Sequence, residues 1–158
     1  MPTATADDPF VGRGREMGEL TTTLDGASDG RGGLVMLGGE PGIGKTRLTE
    51  ELEIVARAQG VRVARGACHE GGGAPPYWPW VQAVRSLLID PSEATLKAVN
   101  AGSAVIAEII PEIGDVLPDL EPAPEVEPRL ARFRLFDSIT TLLNDIAASQ
   151  PLVLVLDD

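Results

Sequence analysis

The chain has 158 residues, 43% of them hydrophobic, which is enough for one domain with a buried core. Its net charge of −11 and isoelectric point of about 4.5 have the wrong sign for holding nucleic acid through phosphate contacts. A single cysteine excludes an internal disulfide, and no segment approaches the ~20 apolar residues of a membrane span. We therefore expect a cytoplasmic protein that makes no membrane contact.

The N-terminal region begins with small, polar and acidic residues at 1–8, which predict a disordered segment. A helix then places Met17, Leu20 and Leu24 on one apolar face, and a turn rich in Gly and Asp at residues 25–33 ends it. This helix is expected to pack its apolar face on the sheet of the domain.

The segment at residues 39–46 matches the phosphate-binding pattern Gly-x-x-x-x-Gly-Lys-[Ser/Thr]. An apolar run at residues 33–38 predicts a strand before it, and regularly spaced apolar residues predict a helix over residues 44–60 after it. Glycines let successive backbone N–H groups converge on one anion, and the helix N-terminus adds partial positive charge. In this pattern Lys45 reaches the β- and γ-phosphates, and the Thr46 hydroxyl binds Mg²⁺. The segment therefore predicts a nucleotide site, with a purely structural turn as the alternative.

The next segments predict a strand and then an aromatic helix start. Alternation at residues 61–66 is typical of a half-exposed strand, so strand, helix and strand would form one unit of a parallel sheet. The adjacent Cys68 and His69 lack further ligands at metal-site spacing. The cluster at residues 77–80 has no basic groove around it, which favours packing at a helix start, with Pro79 in the first turn, over base stacking.

The second half of the chain is predicted to be mainly helical, with a connector in the middle. Short helices are expected near residues 92–99 and 103–110. Residues 98–128 are acidic and rich in proline, which is typical of a solvated connector, with partner docking as the alternative. A long helix over residues 130–148 would bury one face, formed by Leu135, Ile139, Leu142 and Ile146.

The chain ends on a second group of residues that suits phosphate chemistry. The apolar run at residues 152–156 predicts a strand buried on both faces of a parallel sheet. Asp157 and Asp158 follow at its carboxyl end, where open α/β sheets place their ligands. One carboxylate there holds Mg²⁺ through water, and a second activates an attacking water. We assign Asp157 to the metal, and Asp158 together with Lys45 to catalysis.

Four segments in this order resemble the AAA-type ATPase domain of large bacterial STAND regulators, which include MalT-like and LuxR-family ATP-binding transcriptional regulators. They are Phe10–Arg13, Gly39–Leu48, Pro76–Gln82 and Leu152–Asp158. The resemblance implies an α/β fold of the P-loop NTPase class, AAA+/STAND-like, with a parallel sheet and flanking helices. It also implies adenine contacts from Val11 and Arg13, although the family usually has Glu where this chain has Gly14. The remaining nucleotide contacts would come from Gly39, Glu40, Pro41, Gly42, Ile43, Gly44, Lys45, Thr46 and Arg47.

The same resemblance implies a further strand between the phosphate-loop strand and the Asp157 strand, placed after residue 158. Residues 9–158 are therefore expected to be the N-terminal part of an ATPase domain, truncated after the Asp157 strand. Such a fragment is expected to be unstable and inactive alone. The expected partners are a nucleotide, C-terminal domains in cis, DNA only through a missing helix-turn-helix domain, and other copies in a nucleotide-dependent homo-oligomer.

The leading functional hypothesis is an ATP-binding, slowly hydrolysing switch module of a multidomain signalling or transcriptional regulator, with ATP or ADP and Mg²⁺ as cofactors. Three alternatives stay open. They are a P-loop phosphotransferase acting on a small molecule, a nucleotide-binding scaffold without turnover, and an ATPase module attached to a nucleotide cyclase.

Overall fold

A computed structural model of the chain describes residues 12–68, 73–89 and 91–157. The chain divides into two compact units, Met1–Val55 and Ala56–Asp158, named unit 1 and unit 2. The disorder predicted for residues 1–8 and the roles predicted for Val11 and Asp158 lie outside the described residues, as does His69.

Unit 1 contains helix α1 (Gly14–Ser28) and most of helix α2 (Lys45–Ala58). α1 buries Leu20 and Leu24, which lie one turn apart on the predicted apolar face, while Met17 is half-buried. α2 begins and ends within two residues of the predicted bounds. Both helices of this unit are therefore confirmed, but α1 continues to Ser28, past the start of the turn predicted at residues 25–33.

Residues 33–38 do not form the strand that their apolar run predicts. The stretch from 31 to 40 has neither helical nor strand geometry, and Leu34 and Met36 are 88% and 87% exposed. A strand is held by ladder hydrogen bonds to a neighbour, and the described part of unit 1 contains no strand that could supply them. The predicted strand–helix–strand unit is therefore wrong in its first strand.

Unit 2 contains four helices in its described residues: α3 (Trp78–Leu88), α4 (Glu93–Ala107), α5 (Ile113–Val116) and α6 (Pro128–Ser149). The Ser92 hydroxyl accepts a hydrogen bond from the Thr95 N–H at 3.1 Å, as expected for a helix cap. The two short helices predicted after it are one continuous helix, α4, which also takes up the start of the predicted connector. Val99 and Ile106 are both about 1% exposed, so tertiary packing outweighs the weak helix propensity of the sequence between them.

The core of unit 2 lies where α4 packs on α6 and α5, and it includes buried side chains of α3, which packs on β1. On α6 the whole predicted face is buried, comprising Leu135, Ile139, Leu142 and Ile146. From α3 and the segment after α4 the core receives Val84, Leu87, Ile110 and Ile113. The 3.6-residue periodicity of α6 was sufficient to predict this face.

A parallel pair of strands completes the described part of unit 2. Strand β1 (Arg62–Ala67) pairs with strand β2 (Leu152–Asp157), with Arg62 opposite Leu152 and Ala67 opposite Asp157. Helices α3 and α6 both contact β2. In β2 only Val155 is buried among the described residues, and Leu156 is 47% exposed, so the prediction of burial on both faces is wrong. The physical reason is that β2 has one ladder neighbour in the described part of the sheet. Its side chains therefore lack the cover that a second neighbouring strand would add along the other edge.

Across residues 12–68, 73–89 and 91–157, none of the helices is both long enough and apolar enough to cross a membrane.

Candidate functional site

The segment at residues 39–46, the phosphate loop, is a tight turn that leads directly into α2. Gly42 and Gly44 have φ of +76° and +95°, a left-handed backbone that residues with side chains rarely adopt. A Cβ at either position would meet no atom within 4 Å, so conformation and not crowding calls for glycine here. The Ile43 N–H donates to the Glu40 carbonyl at 3.3 Å and closes the turn.

The amino end of α2 supplies hydrogen-bond donors beside this turn. The Leu48 N–H donates to the Gly44 carbonyl at 3.0 Å and starts the helical ladder. The N–H groups before Leu48 have no acceptor within the helix, as in every first helical turn. Together with the helix dipole, these donors give the turn the electrostatics of an anion site.

The Lys45 ammonium group lies against the phosphate loop. Its Nζ donates to the Gly39 carbonyl at 3.0 Å and lies 3.4 Å from the Glu40 carbonyl. Thr46, the predicted Mg²⁺ ligand beside it, is exposed. The turn and the ammonium group are thus in contact, while binding of the phosphates by Lys45 and of Mg²⁺ by Thr46 remains a prediction.

Arg47 points along its own helix. Its Nη2 lies 2.7 Å from Glu51 Oε1, and its Nη1 lies 3.7 Å from Glu50 Oε2. These are i,i+4 and i,i+3 pairs on the surface of α2. A nucleotide contact from Arg47 remains a prediction, and its guanidinium would first have to leave these carboxylates.

Arg13, predicted to lie at the adenine, contacts the phosphate loop instead of leaving its guanidinium in solvent. Its Nη2 donates to the Ile43 carbonyl at 2.6 Å, and its Nη1 donates to Glu16 Oε1 at 3.0 Å. A backbone hydrogen bond at Glu16, and then the Arg13 guanidinium, lower the pKa of the Glu16 carboxyl from its ordinary value. Arg13 therefore ties the start of α1 to the loop, while a contact with adenine remains a prediction.

Asp157, the predicted metal ligand, ends β2 in unit 2. Its Oδ2 lies 2.6 Å from Arg65 Nη2, and its side chain is 17% exposed. Its backbone carbonyl accepts from the Cys68 N–H at 2.8 Å, which extends the ladder past the end of β1. Asp157 is therefore a half-buried carboxylate on a fixed backbone with an arginine as its immediate neighbour.

The start of α3 packs tightly on the end of β1. A Cβ at Gly66 would overlap the backbone carbonyl of Pro79, so only glycine permits this approach. Next to it, the Ala67 N–H donates to Gln82 Oε1 at 2.8 Å. The aromatic cluster at residues 77–80 thus belongs to a helix start that is packed against the sheet, as predicted.

Two further contacts hold the aromatic cluster. The rings of Tyr77 and Phe136 meet edge-to-face with centroids 5.5 Å apart, and Tyr77 adopts a left-handed φ of 65° at the cap of α3. The Arg85 guanidinium lies 5.5 Å from the centroid of the Trp78 ring. All these partners belong to unit 2, which supports a structural role for the cluster.

The residues present fit a nucleotide with a divalent cation. The phosphate loop offers backbone N–H groups and an ammonium group to an anion. In unit 1 Thr46 offers a hydroxyl oxygen beside the loop, and in unit 2 Asp157 offers a carboxylate at the end of β2; Mg²⁺ prefers oxygen ligands of both kinds, and that both hold one ion remains a prediction. Among the described side chains, no group of three or more His, Cys, Asp or Glu could hold a metal ion.

A glycine-built anion cradle at a helix N-terminus, in an α/β chain with parallel strands, defines a P-loop nucleotide-binding protein. A family model described as the AAA ATPase domain matches residues 9–158, and the chain belongs to that family. Membership implies the P-loop NTPase fold and a nucleotide as ligand. No curated protein and no solved structure matches the chain.

Sequence reasoning missed two arginines next to the site residues. The alternation at residues 61–66 does not indicate that Arg65 pairs with Asp157, and no sequence pattern indicates the hydrogen bond from Arg13 to the Ile43 carbonyl. The available signal for Arg65 was an arginine two residues before the end of a strand that must lie beside the Asp157 strand. This signal identifies Asp157 as the partner of Arg65 only when the register of the two strands is known, and the sequence does not give the register.

Proposed function

We propose that this chain is the ATP-binding, slowly hydrolysing switch module of a multidomain signalling or transcriptional regulator of the STAND class. The observation that carries the nucleotide part is the phosphate loop, with left-handed glycines at 42 and 44 and Lys45 opening α2. Membership of the AAA ATPase domain family supports ATP as the ligand. The regulator part is supported by the similarity of the aromatic segment and the N-terminal segment to MalT-like and LuxR-family proteins.

The proposed roles follow from the chemistry of each group. Lys45 neutralises charge on the β- and γ-phosphates, and backbone N–H groups of the loop hold their oxygens. Mg²⁺, when bound, neutralises the phosphates further, with Thr46 and Asp157 as the residues that would hold it. Asp158 orients the attacking water in this proposal.

The charge of the chain limits what else it binds. A net charge of −11 opposes general attraction of polyanions, so an anion must be held by local donors such as those of the phosphate loop. We therefore assign DNA contact to a helix-turn-helix domain in cis and not to residues 1–158. Because the net negative charge disfavours other polyanions, the nucleotide is the anionic ligand that we propose for this chain.

The proposal is tested by nucleotide binding and single-turnover hydrolysis of ATP, both measured on the full-length multidomain protein. Lys45→Ala should lower ATP affinity by about tenfold or more and abolish turnover, because a charge-assisted contact to the phosphates is lost. Lys97→Ala is the matched control, since Lys97 pairs with Glu93 on the exposed surface of α4. It should bind and hydrolyse like the wild type.

The outcomes separate the open alternatives. ATP binding that resists Lys45→Ala, or no binding by the wild type, would overturn the proposal. Binding without any turnover would favour the scaffold, and transfer of phosphate to an added metabolite would favour the phosphotransferase. Asp158→Asn should retain binding and lose turnover if Asp158 activates water.

A further inference from the structure

Arg65 and Asp157 form a pair that the sheet itself holds together. In the register of the parallel strands Arg65 lies opposite Val155, and Asp157 lies two residues further along β2. Because side chains alternate with a period of two, Arg65 and Asp157 are diagonal neighbours on one face. Their Nη2 and Oδ2 atoms are 2.6 Å apart, and the side chains are 27% and 17% exposed.

We propose that Arg65, as the counter-ion of Asp157, sets the Mg²⁺ concentration that nucleotide binding requires. This inference rests on the proposed function, in which Asp157 is the carboxylate that holds Mg²⁺. In this proposal Arg65 does more than join two strands: it weakens the binding of Mg²⁺ by its effect on Asp157.

Electrostatics gives the direction of the effect. A cation that approaches Asp157 meets a carboxylate whose charge the guanidinium already compensates. Any cation that this carboxylate holds, directly or through one water, has the Arg65 charge as a near neighbour, and like charges repel. Solvent screens the repulsion only in part because both side chains are largely covered.

Arg65 also orients the Asp157 carboxylate, which would act in the opposite direction by favouring metal binding. This second effect is the smaller one, because the backbone of Asp157 is already fixed. Its carbonyl accepts from the Cys68 N–H at 2.8 Å, and Asp157 stands in register with Ala67. Only the side-chain torsions remain for Arg65 to restrict, so removal of its charge should tighten metal binding.

The experiment is a Mg²⁺ titration of the full chain at a fixed concentration of a fluorescent ADP analogue, read as bound nucleotide. Arg65→Gln should lower the half-saturating Mg²⁺ concentration by about fivefold, as expected for loss of one neighbouring positive charge. Arg65→Lys keeps the charge and should stay close to the wild type. A second readout is binding of Mn²⁺ alone, followed by electron paramagnetic resonance, which should tighten in Arg65→Gln in the same direction.

The matched control is Arg62→Gln on the same strand. Arg62 Nη2 donates to the Leu87 carbonyl at 2.8 Å. Loss of this hydrogen bond should lower thermal stability without changing the half-saturating Mg²⁺ concentration. The double variant Arg65→Gln/Asp157→Asn provides the decisive comparison. If Arg65 acts through Asp157, then Arg65→Gln changes nothing further in the Asp157→Asn background.

Three results would overturn the inference. They are an unchanged or raised half-point in Arg65→Gln, an equal shift in Arg62→Gln, and a shift that persists in the Asp157→Asn background. If the wild type binds nucleotide with no dependence on Mg²⁺, the proposed metal role of Asp157 fails and the inference fails with it. If only the variants fail to differ from a Mg²⁺-dependent wild type, the proposed function stands and this inference alone is wrong.

Discussion

In the phosphate loop the contacts that shape the turn join near neighbours in the sequence, whereas at the carboxyl end of the strands they join distant residues. Lys45 reaches back six residues to the Gly39 carbonyl. At the carboxyl end of the strands, in unit 2, the contacting residues Arg65 and Asp157 are 92 positions apart in the sequence, and Ala67 and Gln82 are 15 apart. The first region is specified locally, and the second depends on the packing of unit 2.

This difference predicts how the two regions respond to substitution. A change in the phosphate loop should alter nucleotide affinity with little change in the free energy of unfolding, because the loop makes few buried contacts. A change at the end of β1 should alter the free energy of unfolding first, because helix α3 is packed directly on it. Each prediction below tests one side of this contrast.

Gly66→Ala is expected to have the largest effect on stability. The new methyl group would overlap the Pro79 carbonyl, so α3 must move away from β1, and overpacking of this kind costs about 1–3 kcal/mol or more. Urea unfolding should show the loss as a lower midpoint. Gly73→Ala is the control, since a Cβ there meets no atom within 4 Å. Equal stability of the two variants would show that α3 moves away from β1 at little cost. The end of β1 would then not differ from the phosphate loop in its effect on stability.

The parts of the molecule that sequence reasoning found are those with local causes. The phosphate loop follows from glycine spacing, the cap at Ser92 from one hydroxyl, and the buried face of α6 from its periodicity. Each of these is decided within a few residues, so no knowledge of the tertiary structure is needed.

The parts that it missed have non-local causes. An apolar run at residues 33–38 becomes a strand only where a neighbour pairs with it, and burial of β2 depends on how many strands flank it. Continuity of α4 depends on packing against α6. The ion pair between Arg65 and Asp157 depends on strand register. Sequence periodicity carries none of this information.

Arg13→Ala tests a contact that joins the phosphate loop to a residue thirty positions earlier in the chain. Loss of the 2.6 Å hydrogen bond to the Ile43 carbonyl should loosen the turn and lower nucleotide affinity by about threefold to tenfold, as expected for one exposed hydrogen bond of ordinary strength. Nucleotide titration measures it. Arg15→Ala is the control, because Arg15 pairs with Glu19 on the exposed side of α1. If both variants bind nucleotide like the wild type, the conformation of the phosphate loop is determined by its local sequence alone. The difference from the end of β1, which depends on tertiary packing, is then larger than proposed.

Glu112→Gln should have the smallest effect, although its contact with Arg85 spans 27 residues of sequence, because burial and not sequence separation decides the energy. Arg85 Nε lies 2.8 Å from Glu112 Oε1, and the side chains are 36% and 48% exposed. Exposed ion pairs contribute about 0.2–1 kcal/mol, so the loss at neutral pH should fall at the lower end of that range.

The pH dependence of this pair identifies its origin. A backbone hydrogen bond at Glu112, and then the Arg85 guanidinium, hold the pKa of the Glu112 carboxyl below its ordinary value of 4.5. A lowered pKa in the folded state stabilises the protein above pH 4.5, and this contribution is lost as the pH falls through the folded-state pKa. The difference in unfolding free energy between the wild type and Glu112→Gln should therefore shrink toward zero on acidification, measured by urea unfolding. Glu121→Gln, at an exposed position, serves as the control. A difference that is large at neutral pH, or that grows in acid, would mean that this exposed contact matters as much as the buried ones at the end of β1.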